Sequence, residues 1–389
     1  MSKQWRALLA AMLGWMLDAM DFLLFTFAVP PIQKEFGLTP ATMGFLTSVA
    51  LIASAIGGIA FGAIADRIGR VRALTISILL YSFATAGLAT SHALWQLLAW
   101  RVLVGFGMGG EWSAGSVLVA ETWPAEHRGK AMGIMQSGWA IGAMCAAGIA
   151  AVVLEPYGWR VLFLVGALPA AAAFFIRRGV EEPPVWRERK EPAPPWTEIF
   201  GPALRRRTFL ATILASSVLI AYWGLTSWLP SFLASTGLSL TKSALWIVIL
   251  QAGAFAGYVS FGWIADRIGR RPAFTFFMIA ATICVPLFAF GARSTLTLLI
   301  LGPLVGYFGH GYFSVFGAML SELFPTRIRA TAQGFCYNFG RVASAAAPYT
   351  IGAAAATYGL AIPLAASAIF FGIGGALIWL LPETRGAAL

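Results

Sequence analysis

Two decapeptides, Phe61–Arg70 and Phe261–Arg270, are identical at nine of ten positions and stand 200 residues apart in a chain of 389. Each marks the point where a long apolar run gives way to a basic loop. So close a repeat at half the chain length implies a duplicated unit. Composition says where that unit lives. Hydrophobic residues make up 59% of the chain and charged residues 11%, against about 25% charged in an average soluble domain. Polar surface is too scarce to face water, so most of the exterior must face lipid. Cys145, Cys284 and Cys336 lie in separate apolar stretches without ligand spacing and read as small packing residues. The first apolar stretch, from Trp5 to Val29, is too long for a signal core and lacks a small-residue cleavage site.

A helix that crosses a bilayer needs about 20 mostly apolar residues. Twelve such runs are expected: 7–29, 41–64, 73–91, 94–120, 131–154 and 159–176, then 208–233, 242–264, 273–292, 295–321, 331–356 and 359–381. The long polar interruption, 177–207, is rich in Pro, Arg and Glu and separates 1–176 from 208–389. The expected fold is all-α, with two pseudo-symmetric six-helix bundles joined by a linker. Of the 27 Lys and Arg residues, 21 fall at the N-terminus, the even-to-odd loops and the C-terminus. Lys34, Arg160, Lys242 and Arg293 occupy the opposite loops, and Arg101 and Arg341 lie inside spans. By the positive-inside rule both termini face the cytoplasm. The same asymmetry accounts for the net charge of +11 without a nucleic-acid partner.

Gly62-x-x-x-Asp66-Arg67-x-Gly69-Arg70 and Gly262-x-x-x-Asp266-Arg267-x-Gly269-Arg270 resemble the loop signature of the major facilitator superfamily, and the resemblance covers essentially the whole chain. Pro382-Glu-Thr-Arg-Gly386 after the last span, with Glu121…Arg128 and Glu322…Arg329, is similar to its sugar and organic-anion branches. Asp18-Ala-Met-Asp21 resembles the Asp-x-x-Asp of proton-coupled aromatic-acid, sialate and lactate-type symporters, and Gly109-Gly-Glu-Trp112 points to the same group. The resemblance implies a secondary transporter of the cytoplasmic membrane working by alternating access, not an enzyme. Small glycines at 62 and 262 allow close helix approach. Asp66 and Asp266 can each pair with an Arg and bond the N-terminus of a neighbouring helix. A cytoplasmic latch of Asp66, Arg67, Arg70, Asp266, Arg267 and Arg270 is expected, with Glu121, Arg128, Glu322, Arg329 and the Glu383–Arg385 pair as further members. The plainer reading of these basic loops is orientation alone.

An ionisable side chain at mid-bilayer costs at least ~2.5–3.5 kcal/mol, so it needs a partner or a wet cavity. Asp18 and Asp21 are three residues apart on one helix and share a face. Two such carboxylates repel when both are charged, which suits proton uptake and release. The resemblance places Asp21 at the span-one proton site, opposite the span-four Arg101, so a proton-sensitive Asp21–Arg101 pair is expected. The alternatives are a purely structural counter-ion or Arg101 as a substrate ligand. Glu111 lies ten residues beyond Arg101, about 15 Å along a helix, and is either a second protonation site or a packing acceptor. Arg341 is permanently charged among small residues and suits a bidentate grip on a carboxylate; snorkelling to the surface is the rival reading. Asn338 is its neighbour. His310 titrates near neutrality and could relay protons or simply be hydrogen-bonded.

Gln136, Gln251 and Tyr222 are further candidates for the cavity wall, since a buried amide needs partners. Trp139, Trp223, Trp228, Tyr312 and Tyr337 fit a wall, packing or an interfacial belt equally. Gly105, Gly107, Gly109 and Gly110 mimic a nucleotide loop but lie in an apolar span with no strand before them, and read as helix packing. No metal spacing or nucleophile constellation is present, so no cofactor is expected. The expected partners are a small-molecule substrate, protons and the lipid bilayer, without an obligate protein partner. The leading substrate class is a small organic anion: a monocarboxylate, sialate or aromatic acid. A sugar or polyol symporter, a multidrug exporter and a non-transporting sensor are the rivals.

Overall fold

The computed structural model describes residues 2–38, 40–177, 179–188, 194–235, 240–291 and 294–387. Four of the basic residues used to orient the chain, Arg178, Arg189, Lys190 and Arg293, lie outside the described residues. In hydrocarbon every backbone polar group must be satisfied within the chain, which leaves helices or a closed barrel. The described elements are helical throughout. The first half contains α1 (Lys3–Phe36), α2 (Pro40–Ile68), α3 (Arg70–Leu88), α4 (Leu94–Thr122) and α5 (Arg128–Arg177). A short linker helix, α6 (Pro184–Arg187), precedes α7 (Arg205–Ser235), α8 (Leu240–Ile268) and α9 (Arg270–Gly291). The remainder is α10 (Thr295–Gly311), α11 (Phe313–Leu323), α12 (Arg329–Ser344), α13 (Ala346–Tyr358), α14 (Ala361–Ser367) and α15 (Ile369–Leu377).

These elements reproduce the expected runs with two local differences. The fifth and sixth runs form one element, α5, which bends at Gly158 (φ 78, ψ 173); only glycine takes that conformation cheaply. The last three runs are each cut once, at Tyr312, Ala345 and Ala368, where the backbone stays near φ −62, ψ −21 and the helix continues in direction. Among the described residues, ten stretches are long and apolar enough to cross a bilayer. The α12–α13 run, cut at Ala345 and carrying Gln333, Asn338 and Arg341, is not one of them.

Packing follows the glycines. A methyl at Gly105 would strike the Ala50 carbonyl, one at Gly109 the Ser54 carbonyl, and one at Gly57 the Phe106 carbonyl. The α4 glycines therefore seat α2 backbone against backbone, the packing role read from their setting. The same device joins the halves. Gly62 meets the Ala330 carbonyl and Gly334 the Gly58 carbonyl, closing α2 on α12. Gly262 meets the Gly129 carbonyl and Gly133 the Tyr258 carbonyl, closing α5 on α8. Trp15, Trp112 and Met135 of the first half share one buried cluster with Tyr222, Tyr258, Phe313 and Tyr337 of the second.

Candidate functional site

A cavity opens between the halves, deep within the helices. Its wall comes from Asp18 and Phe22 on α1, Ser54 on α2, Arg101 and Met108 on α4, and Trp139 on α5. The second half adds Trp223 from α7 and Arg341 from α12. Its volume is about 20 Å³, roughly the space of one water, so the halves pack tightly around it. Arg341 Nη1 donates to Ser54 Oγ at 2.5 Å across the two halves, while its Nε has no protein partner. Asp18 Oδ1 is likewise buried without a protein partner. Both groups can therefore take a polar ligand without giving up a bond at those atoms.

The two aspartates of α1 diverge. Asp18 faces the cavity, while Asp21 Oδ2 accepts from Thr85 Oγ1 on α3 at 2.8 Å. Arg101 lays its guanidinium over the Phe25 ring, 3.8 Å from the centroid, a cation–π contact. Asp21 and Arg101 sense each other's charge, but the structure does not join them in a direct ion pair. Thr85 has taken the carboxylate and Phe25 the guanidinium. Glu111 is fully buried on α4 and close enough to Asp18 for their charges to interact.

Several other candidates stand away from the cavity. Asn338 Nδ2 donates to its own helix at Gly334 O (2.9 Å) and presses on Gly58. Gln136 Oε1 accepts from Trp112 Nε1 at 3.3 Å, below the cavity. His310 packs edge-on to the Tyr222 ring, 5.0 Å between centroids, inside the second half. Tyr222 stands beside Trp223 without reaching the wall, and Gln251 is buried on α8, also off the wall. Ser54 and Thr85 were missed from the sequence. Nothing distinguishes these hydroxyls from others in apolar helices, except that Ser54 lies one turn before Gly58, where α12 is admitted.

On the basic side of the molecule a charged latch crosses the halves twice. Asp66 accepts from Arg70 Nη1 (2.9 Å) on its own side and from Thr331 N (2.7 Å), Thr331 Oγ1 (2.7 Å) and Ala330 N (3.3 Å) at the start of α12. Asp266 accepts from Arg270 Nη1 (2.6 Å) and from Gly129 N (3.0 Å) and Lys130 N (2.9 Å) at the start of α5. Each carboxylate thus meets the positive end of a helix from the opposite half. Arg329–Glu121 (2.5 Å) and Arg128–Glu322 (2.8 Å) complete the crossing, and Arg70 and Arg270 bind the same two glutamates from behind. All are buried at their side chains. Arg67 and Arg267 stand outside this network. Both are exposed, and Arg267 stacks on Trp263 at 4.3 Å. They fall one position past the aspartate, where the helix turns them to the surface.

Glu383 leaves its tail segment to accept from the backbone N–H groups of Arg270 (2.9 Å) and Arg271 (3.0 Å), capping α9. Glu182, not singled out from the sequence, does the same for α3 through Arg70 N (2.7 Å) and Val71 N (3.0 Å). An offset of 201 residues relates Glu182 to Glu383, Glu121 to Glu322 and Arg128 to Arg329, a signal that would have found it. Gly69 (φ 113) and Gly269 (φ 102) precede the capped helices, and a Cβ at either would run into the capping carboxylate. Burial pushes the Glu383 carboxyl up, but its four backbone N–H donors outweigh that and hold it below the usual range.

Two similar helical halves, locked by paired ionic crossings beneath a charged central cavity, define a multi-pass membrane transporter of the two-bundle class. The chain belongs to the Major Facilitator Superfamily, whose family model matches residues 11–291 and 248–388. It is 36% identical over 388 residues to the probable 4-methylmuconolactone transporter of Cupriavidus pinatubonensis, covering 97% of this chain and 90% of that one. It is 33% identical over 383 residues to the cis,cis-muconate transport protein of Acinetobacter baylyi, covering 95% and 92%. Among solved structures it resembles the proton:xylose symporter XylE with a TM-score of 0.83 at 20% identity, covering 100% of this chain and 98% of that one. At that identity the likeness shows the fold alone.

Proposed function

We propose that the protein carries a small organic acid, as its anion, together with protons across the cytoplasmic membrane by alternating access. The observation that carries this reading is the wall of the cavity: Arg341 from one half faces Asp18 and Arg101 from the other. With no anion bound, the Asp18 carboxylate offsets the nearby guanidinium charge. A substrate carboxylate competes for the same guanidinium, and a proton on Asp18 removes the competitor. Anion and proton then enter together. Arg341 is the principal anion ligand, and Trp139, Trp223 and Phe22 offer flat apolar walls that suit an unsaturated or aromatic body. The names of the muconate and muconolactone relatives support the same class. Asp21, Arg101 and Glu111 form the rest of the proton-coupling group.

The latch is the cytoplasmic gate, with residues 1–176 and 208–389 as the two moving bodies and 177–207 as their linker. Its basic flank faces the cytoplasm by the positive-inside rule, which places both termini there. The test is uptake of cis,cis-muconate into proteoliposomes under an imposed pH gradient. Wild type concentrates it and Arg341→Gln does not. Arg341→Lys keeps the charge but loses the planar fork and recovers a fraction. Asp18→Asn abolishes pH-driven accumulation. Stabilisation of the purified protein by sugars but by no carboxylate would refute the proposal.

A further inference from the structure

Directly beneath the cavity, on the way to the latch, lies a layer of four side chains, two from each half. Trp112 on α4 and Tyr337 on α12 stack across the halves with centroids 3.8 Å apart and planes 21° from parallel. Gln136 on α5 holds the indole N–H at 3.3 Å, and the Phe313 ring on α11 stands edge-on to Tyr337 at 6.5 Å. The offset of 201 residues carries Trp112 onto Phe313 and Gln136 onto Tyr337. The layer is therefore built from two equivalent pairs, yet only one diagonal carries an aromatic stack. All four residues are at most 5% exposed.

This layer belongs to a ladder between antiparallel α4 and α12. Met108 and Arg341 stand at the cavity, then come Trp112 and Tyr337, then Ser116 and Gln333, then Glu121 and Arg329 at the latch. Gln333 donates to Ser116 and accepts from Ser321 Oγ at 2.8 Å. The rungs recur about every four residues on both helices, one turn each, so they part together or in order. The Arg341 guanidinium lies over the Tyr337 ring, 5.3 Å from its centroid. Guanidinium, phenol and indole thus lie in series from the anion ligand of one half to α4 of the other.

We propose that the Trp112–Gln136–Phe313–Tyr337 layer is an inner gate, distinct from the ionic latch, and that Arg341 reports anion binding to it. This rests on the cavity being the substrate site. An anion that draws Arg341 toward itself takes the guanidinium off Tyr337 and Ser54, removing the upper support of the stack. The layer then opens ahead of the buried charges below, which would otherwise meet water only after the latch had broken.

The test is the reactivity of Leu51→Cys, in the cavity wall, toward a membrane-impermeant sulfonate thiol reagent. The background carries Ser at 145, 284 and 336, the three native cysteines. Vesicles of both orientations are labelled without substrate. Tyr337→Leu and Trp112→Leu should raise labelling from the latch face about two- to tenfold, the factor an aromatic pair contributes beyond its burial, with no rise from the opposite face. Tyr337→Phe keeps the stack and should label like the parent. No rise at the latch face in either Leu variant would overturn the proposal, as would an equal rise from both faces, which signals loosened packing. In parallel, cis,cis-muconate should raise the melting temperature of Tyr337→Phe but not of Arg341→Gln. No shift in either the parent or Tyr337→Phe would refute the substrate reading while leaving the labelling result to judge the gate.

Discussion

Asp66→Asn changes one buried carboxylate to its neutral isostere and tests the latch most sharply. Asp66 receives three hydrogen bonds from the start of α12 and one from Arg70, whose side chain is 0% exposed. An asparagine keeps one acceptor oxygen but must turn an NH₂ toward either Arg70 or the Thr331 donors. Breaking a buried charged pair in this way costs about 3–5 kcal/mol. If Asp66 is hydrated once the halves part, nearly all of that falls on the closed state. The closed-to-open ratio then drops roughly 10²- to 4 × 10³-fold. Asp266 holds two backbone N–H groups of α5 and no hydroxyl, so Asp266→Asn should fall short by about one hydrogen bond, ~1 kcal/mol. The assay is a pulsed electron-resonance distance between spin labels at Arg72 on α3 and Arg206 in the first turn of α7, both exposed and on helices that belong to opposite halves. The long-distance population should grow in Asp66→Asn and less in Asp266→Asn. An unchanged distribution, or the reverse order, would show that the closed state rests on helix packing and not on these carboxylates.

Two further predictions concern the helix caps. Because the folded Glu383 carboxyl titrates below its unfolded range, its contribution to stability is full at neutral pH and fades as pH falls through the folded value. The melting-temperature gap between wild type and Glu383→Gln should therefore be widest near pH 7 and close on acidification; a gap independent of pH would refute the cap. Gly269→Ala forces alanine to φ 102 and drives a Cβ into the Glu383 carboxylate, at a cost of roughly 1–2 kcal/mol for the backbone alone. A methyl at Gly302, inside α10, meets nothing within 4 Å, so Gly302→Ala should be neutral or stabilising in the same melt. Equal losses at the two sites would contradict the assigned roles.

Much of the architecture was legible in one dimension. Lipid exposure is decided by transfer free energy summed over about 20 residues, which needs no knowledge of neighbours, so the helical runs and the two-half plan could be read directly. The repeated decapeptide also pointed to the latch, because an aspartate at a helix end beside an arginine one turn on has few places to go. Where the reading stopped is equally physical. Arg67 and Arg70 both look suitable for a latch by composition, and only the helical phase beyond Gly69 buries one and exposes the other. Asp18 and Asp21 share a helix face, yet one meets Arg341 across the cavity while the other meets Thr85. Asn338 and His310 carry chemistry but are turned toward Gly58 and Tyr222.

What the sequence determined by itself was the membrane class, the duplication, and the concentration of charge on one side and at a few points within the bilayer. What only the tertiary structure decided was the rotation of each helix about its axis. That rotation is set by glycines and carbonyls that meet from positions more than a hundred residues apart, such as Gly62 against Ala330 and Gly262 against Gly129. It chooses which buried charge faces the cavity, which joins the ionic latch, and which rings stack between the cavity and the latch.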